Sequence, residues 1–402
     1  MISLFGYGKT MQSLGKILAP CNIYDDKFTT PSKDKYNNNL LPPNLFNADN
    51  STLEIVSPGI PPQWELIQKA KNLISDYDYF YSKDSPFSVW ISGTNGKTTT
   101  TQMAQMLLED SGSLSGGNIG NPICELNKNA KMWILETSSF TLHYTNKAKP
   151  DIYALLPITP DHISWHGSFE EYTNAKLKPL RLMQEKSYAI IPDKYKDFPQ
   201  IKDFKGTIYF YDSALELAKK FNIDINKIKF KGAFLLDSIM ALSIAKIITN
   251  KIDYHKINSF RIDAHKIEEF FDAKGRLFVD DSKATNIDAT LQALKIYSDK
   301  YIRLILGGDN KGVSLEPLIV ELKRYKVKVF AIGKSTNHII DLCRKYCILC
   351  EDSRDLKSAL NAINKDFIDD GVCLLSPACA SLDQFISYKQ RGEFFKLYAL
   401  SL

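Results

Sequence analysis

Gly93-Thr94-Asn95-Gly96-Lys97-Thr98-Thr99 gathers two glycines, a lysine and a row of hydroxyls in one short run. Glycine lets a backbone curl round an anion, and the N–H groups that open a helix point at phosphate oxygens. A lysine closing such a loop reaches the β- and γ-phosphates, and the threonine after it ligates Mg²⁺. The chemistry implied is the binding of a nucleoside triphosphate. Only two residues, Thr94 and Asn95, separate the glycines, where the common pattern has four. A plain polar turn between a strand and a helix is the alternative this run leaves open.

Other residues carry chemistry by where they fall. Glu136 follows the apolar run Trp133-Ile134-Leu135, so it sits at a strand end, and a carboxylate beside a phosphate loop commonly holds Mg²⁺. His162 lies just beyond the run Ile152–Leu156, in Thr159-Pro160-Asp161-His162; it is either a loop histidine or a ligand at a sheet edge. Lys176 and Lys178 lie on an expected helix over Phe169–Met183, where a solvated face is the bland reading. Further on come Asp281-Ser282-Lys283-Ala284-Thr285-Asn286, Gly307-Gly308-Asp309-Asn310-Lys311 and Ser376-Pro377-Ala378-Cys379-Ala380-Ser381. Each follows an apolar run, so all three are expected at one edge of one sheet.

The elements that must hold these residues read as α/β throughout. The chain opens with a strand over Ile2–Phe5, the turn Gly6-Tyr7-Gly8, a helix to Leu18 and a short strand ending at Asp25, a small Rossmann-like start. Tyr36–Asn50 reads as loop, and Tyr77–Ser85 as a domain boundary. Phe87–Ile91 is the strand leading into the glycine loop. From residue 277 onward strands and helices alternate, as βαβ units do in a mostly parallel sheet, with a closing helix expected over Ser381–Ala399. Three domains follow: a Rossmann-like one over 1–82, a central P-loop ATPase-type parallel sheet over 83–264 and a Rossmann-like C-terminal one over 265–402.

Composition sets the broad class. A chain of 402 residues that is 44% hydrophobic and 24% charged suits several soluble domains. A net charge of +5 fits anionic small substrates and is too weak to argue for nucleic acid. The longest apolar stretch, Phe234–Ile248, is interrupted by Asp237 and Lys246, so a membrane span is not expected. Seven cysteines and no basic leader before Phe5 point to reduced thiols in the cytoplasm. Cys343, Cys347 and Cys350 have a spacing some iron–sulfur proteins use, but a helix and a strand are expected to part them, leaving them as small hydrophobes.

Taken together, the short glycine loop, D-S-K-A-T-N at Asp281–Asn286, G-G-D-x-K at Gly307–Lys311 and S-P-A-C-A-S-x-D-Q-F at Ser376–Phe385 resemble the Mur ligases, in particular the branch that adds D-glutamate. The resemblance spans the chain and implies ATP-dependent joining of D-glutamate to UDP-N-acetylmuramoyl-L-alanine in peptidoglycan precursor synthesis. It implies that Gly93–Thr99, Lys266 and Asp281 bind ATP. It places Lys9, Thr10, Asp25, Ser57, Gly59, Asn118 and Ser138 on the UDP substrate. Thr285, Lys311, Ser381, Leu382 and Tyr388 would bind D-glutamate. Lys97, Glu136, His162 and Lys176 would be catalytic, with two Mg²⁺ ions held by Thr98, Glu136, His162 and a carbamylated Lys176. A monomer with no nucleic-acid partner and no membrane insertion is expected.

The chain also departs from the family pattern. Lys266 stands where the family usually has arginine, and a lysine lacks the planar fork that grips phosphate twice. Phe234–Asp237 replaces the stretch that usually meets adenine, and Tyr388 stands where phenylalanine is common. Two other readings stay open: a sister ligase using another amino acid, and a P-loop ATPase or GTPase that acts as a switch. Phosphate release against an amino-acid panel separates all three.

Overall fold

The computed structural model describes residues 1–81, 85–367 and 371–402. Three six-stranded sheets carry the described chain. The first holds β1 (Ile2–Phe5), β2 (Asn22–Tyr24), β3 (Ser32–Lys33), β4 (Asn39–Leu41), β5 (Leu53–Val56) and β6 (Leu73–Ser75) in the order β3-β4-β2-β1-β5-β6. The second holds β7 (Phe87–Ser92), β8 (Ser113–Gly117), β9 (Met132–Glu136), β10 (Ile152–Leu155), β11 (Tyr188–Pro192) and β12 (Thr207–Tyr211), ordered β12-β11-β10-β7-β9-β8 and parallel throughout. The third holds β13 (Glu268–Phe271), β14 (Leu277–Asp280), β15 (Ile302–Gly307), β16 (Val327–Ile332), β17 (Leu349–Arg354) and β18 (Val372–Leu375), ordered β13-β14-β18-β15-β16-β17.

Two compact units contain these sheets. The first unit is 1–158 with 165–260, and the second is 159–164 with 261–402. The first two sheets share one unit and one core, in which Leu4, Ile23 and Ile55 join Trp90, Trp133 and Tyr153. The expected boundary at 82/83 lies outside the described residues. Just before it, within the stretch read as polar and as a domain boundary, Asp76–Tyr81 is a helix with Tyr77 and Phe80 buried. Its aromatic residues outweigh its charge as a structural signal, because they have a core to enter.

Burial explains the strand pattern. Val89, Trp90, Ile91 and Ser92 are all inaccessible, as befits a central strand covered on both faces. β7 lies between β10 and β9, and the chain crosses from β9 on one side of it to β10 on the other. Ligands of open parallel sheets collect at such a crossing, beyond the strand ends. The 233–249 helix packs along the 97–108 helix.

Several expected elements differ in detail. The Phe169–Met183 helix is two helices, Phe169–Leu177 and Pro179–Leu182, because Pro179 has no N–H to continue the first. The last helix begins at Tyr388 and not at Ser381; Ser387 caps it by accepting from the Gln390 N–H at 3.2 Å. Tyr36–Asn50 contains β4, whose short apolar run pairs with β2. The antiparallel edge strand β13 was not legible as a strand, since Glu268-Glu269-Phe270-Phe271 has no clean alternation. The three clustered cysteines fall on a helix (Cys343), on its left-handed C-terminal cap (Cys347) and on β17 (Cys350).

Candidate active site

In the first unit, Gly93 and Gly96 are required by geometry. Gly93 has φ +141°, and a Cβ there would lie 2.5 Å from the Leu156 Cβ. Gly96 has φ +81° at the N-terminus of the 97–108 helix, and a Cβ would lie 2.2 Å from a carboxylate oxygen of Asp237. The loop between them therefore packs backbone against neighbours while its first-turn N–H groups stay aimed along the helix axis. Asp237 comes from the stretch that departs from the family pattern, and it lies against the phosphate loop. Lys97 Nζ donates to the Thr94 carbonyl at 2.7 Å, folded over the loop it belongs to. Thr94 shares a hydroxyl contact of 3.0 Å with Tyr172.

Glu136 is brought to the same place by β9. Its carboxylate is 2% exposed, accepts from the Thr98 hydroxyl at 2.7 Å and accepts from the Asn118 side-chain amide at 2.8 Å. The Asn118 N–H also donates to the Glu136 carbonyl at 2.9 Å. A threonine hydroxyl and a carboxylate oxygen side by side beneath a phosphate loop are hard donors, and they fit Mg²⁺. Lys176 is 1% exposed, donates to the Gly93 carbonyl at 2.7 Å and lies 4.8 Å from the centre of the Tyr172 ring. The bland reading of Lys176 as a solvated lysine is therefore wrong for this position. Lys178, by contrast, caps the neighbouring 139–144 helix by donating to the His143 carbonyl at 2.6 Å.

The N-terminal residues gather at the end of β1. Asp25 accepts from the Tyr7 N–H at 2.6 Å and the Lys27 N–H at 2.9 Å, so it braces the glycine turn. Lys9 donates to the Gly120 carbonyl at 2.6 Å, and Thr10 follows on the same first turn. Ser57 lies against Gly6, while the Gly59 carbonyl faces the Trp165 indole N–H at 3.4 Å. Ser138 caps the 139–144 helix by accepting from the Thr141 N–H at 3.0 Å.

The second unit places the three polar loops as expected. β18 lies between β14 and β15, so the loops after Asp280, Gly307 and Leu375 leave adjacent strands at one edge. Asp309 and Ala380 exchange two backbone hydrogen bonds of 3.0 and 2.8 Å, which tie the second and third loops together. Thr285 and Lys311 line one narrow crevice with Asp161, Asn286 and Ala378. Lys311, at φ +54°, forms an ion pair with Asp161. His162, adjacent, has φ +53° and a half-exposed ring 3.6 Å from Asp161.

Other expected contacts lie elsewhere in this unit. Asp281 turns inward: it accepts from the Ser376 hydroxyl at 2.7 Å, and burial pushes its carboxyl up to about 8. Ser381 is buried, Leu382 is exposed, and the Tyr388 ring lies 4.2 Å from the Lys283 ammonium. Lys266 pairs with Asp263 at 3.2 Å.

Two features of this unit escaped the sequence. His265, Glu268 and Asp280 bring their ligand atoms within 4.8 Å of one another, the one such grouping among the described residues. Their donors and acceptors face each other: His265 Nδ1 meets Asp280 at 2.6 Å and the His265 N–H donates to Glu268 at 3.0 Å. Gly392 closes over them, since a Cβ there would lie 2.2 Å from His265 Nδ1. The other is Arg391, a buried cation on the last helix. Nothing in K-Q-R-G-E marks it in advance, because helix arginines are ordinarily solvated.

A phosphate loop at a sheet crossing, a buried carboxylate touching its threonine, and a separate α/β unit with three polar strand ends define a P-loop ligase architecture. Solved structures with this fold include MurF from Acinetobacter baumannii, with a TM-score of 0.60 at 15% identity over 88% of this chain and 86% of that one. MurF from Thermotoga maritima, solved in complex with ADP, matches with a TM-score of 0.58 at 15% identity over 87% and 88%. The family model for the Mur ligase middle domain matches residues 91–235. The UDP-N-acetylmuramoylalanine–D-glutamate ligase of Campylobacter jejuni strain 81-176 is 52% identical over 98% of both chains. That of Helicobacter pylori strain 26695 is 48% identical over 99% of both. The chain belongs to the Mur ligase family, in the branch of the UDP-N-acetylmuramoylalanine–D-glutamate ligases.

Proposed function

We propose that this chain uses ATP to join D-glutamate to UDP-N-acetylmuramoyl-L-alanine, forming an amide in peptidoglycan precursor synthesis. The observation that carries the reading is the Thr98–Glu136–Asn118 cluster under the Lys97 loop, in a chain about half identical over its whole length to ligases named for that reaction. Condensing a carboxylate with an amine is unfavourable in water, so the carboxylate needs a leaving group. The γ-phosphate of ATP supplies one, giving an acyl phosphate; the D-glutamate amine attacks its carbonyl, and phosphate departs with the C–O electron pair.

Each group has a part in this reading. The loop N–H groups and Lys97 orient the triphosphate and neutralise charge as two anions meet. Thr98 and Glu136 would hold Mg²⁺, with His162 and a carbamylated Lys176 completing two ion sites; the metal supplies electrostatic stabilisation of the transferring phosphoryl group. CO₂ adding to the Lys176 amine turns a buried cation into a carboxylate, which suits a position beside the Gly93 carbonyl only when a cation is also bound. Lys266 and Asp281 are assigned to ATP, with Asp281 acting through the Ser376 loop it braces.

On the substrate side, Lys9, Thr10, Asp25, Ser57, Gly59, Asn118 and Ser138 are assigned to the UDP substrate. Thr285, Lys311, Ser381, Leu382 and Tyr388 are assigned to D-glutamate. Domains over 1–82, 83–264 and 265–402, each bringing one substrate, and a cytoplasmic monomer complete the proposal. No described helix is long and apolar enough to cross a membrane.

The test is phosphate release from ATP with UDP-N-acetylmuramoyl-L-alanine, with and without D-glutamate. Release that requires both, and that D-glutamate supports above other amino acids, is expected. Release independent of any amino acid would return the chain to a switch ATPase.

A further inference from the structure

Arg391 is among the largest fully buried side chains, at 1% exposure, and it stands on the last helix behind two of the polar loops. Its Nε donates to the Ser282 hydroxyl at 3.0 Å, and one terminal nitrogen donates to the Ser282 carbonyl at 2.9 Å and to the Cys379 carbonyl at 3.1 Å. The Ser282 hydroxyl in turn donates to the Tyr388 carbonyl at 2.8 Å, which seats the loop on the first turn of the same helix. Ser282 stands three residues before Thr285, and Cys379 stands two before Ser381. One planar cation thus holds the backbones of two loops that leave neighbouring strands, β14 and β18. The third loop is tied in through the paired backbone bonds of Asp309 and Ala380.

Burying a guanidinium is costly, and burial pushes Arg391 down to about 10. It remains charged at neutral pH. A neutral side chain of similar volume would avoid that cost while filling the same space. What the cation adds is a fork of fixed geometry that holds the Ser282 hydroxyl through Nε while one terminal nitrogen serves the Ser282 and Cys379 carbonyls.

We infer that Arg391 is a positioning residue that sets the spacing between the Ser282–Thr285 and Cys379–Ser381 loops, and through them the amino-acid subsite. It touches neither ATP nor the acyl donor in this reading. The inference rests on the assignment of Thr285, Lys311 and Ser381 to D-glutamate made above, and it goes beyond it by naming what holds them in register. Lysine at this position offers a single nitrogen to the two carbonyls and leaves the Ser282 hydroxyl without its Nε donor.

The experiment varies each substrate in turn for the wild-type protein and for Arg391→Lys and Arg391→Ala. Removing a charged hydrogen-bonding partner commonly costs tenfold or more in binding. The KM for D-glutamate is expected to rise about tenfold or more in Arg391→Ala and by less in Arg391→Lys. The KM for ATP should stay within about twofold, and added guanidinium should lower the D-glutamate KM of Arg391→Ala. Equal rises in every KM, or a folded variant with an unchanged D-glutamate KM, would overturn the inference. Amide exchange gives a second readout that needs no turnover. Asp281, Asp309 and Ala380 donate backbone bonds within this loop set, and they should lose protection together in Arg391→Lys. Unchanged protection overturns the clamp, whereas a wild-type enzyme indifferent to D-glutamate overturns the functional reading and leaves the exchange result to decide the clamp.

Discussion

The Thr98 hydroxyl donates to the Glu136 carboxylate at 2.7 Å, joining the first turn of the phosphate-loop helix to the end of the neighbouring strand. With Asn118 on its other oxygen, Glu136 has both carboxylate oxygens engaged and its charge buried. Glu136→Gln preserves the size of the group and removes the charge. Its kcat is expected to fall by about 10²–10³, with a steeper dependence on Mg²⁺ concentration, because a charge aimed at a developing phosphoryl centre is lost. Steady-state rates over a Mg²⁺ titration check this, and wild-type kcat in the variant would remove Glu136 from the metal site.

Lys176 lies against the Gly93 carbonyl in a site closed to water. Lys176→Ala should therefore lose nearly all turnover and leave a void where a carbamate would sit. Short carboxylic acids such as formate or acetate are expected to restore part of it, and mass spectrometry under bicarbonate should find the added CO₂ on the wild-type lysine. Full activity in the unrescued variant would sink the carbamate.

Lys311 pairs with Asp161 in the crevice that also holds Thr285. A charge-assisted contact contributes roughly 1.5–3 kcal/mol, so Lys311→Ala should raise the KM for D-glutamate by about 10- to 100-fold. The KM for ATP should move little. Initial-rate kinetics with D-glutamate varied decide this, and a change confined to ATP would place Lys311 with the nucleotide.

Asp76 carries a pH dependence in the first unit. Its carboxyl is fully buried, one of its oxygens has no partner, and desolvation pushes it up to about 7. The folded value lies above the unfolded one of about 4, so the folded state holds the extra proton between them. The stability this gives is whole below about pH 4 and is lost as pH rises through about 7. Asp76→Asn stays neutral and should be the more stable protein at pH 8, by up to about 4 kcal/mol, with little difference near pH 4. Urea unfolding at several pH values measures it; parallel pH profiles would contradict the assignment.

Much of this was legible in the residues themselves. The glycine loop was readable because only glycine tolerates the φ of Gly93 and Gly96 and the contacts with Leu156 and Asp237. Glu136 and the three polar loops were readable because apolar runs end where strands end. The residues that run announced as one constellation were local in the chain, and local backbone chemistry decides local conformation.

What only the tertiary structure decided involves partners distant in the chain. That Lys176 is sealed against Gly93, that Asp281 turns inward to Ser376, and that Asp161 takes Lys311 depends on segments distant in the chain being packed together. Arg391 meets Ser282 across 109 positions, and no local pattern encodes that separation. A charged side chain is solvated by default; it enters the interior only where folding brings enough acceptors to replace water, and that condition belongs to the packed chain.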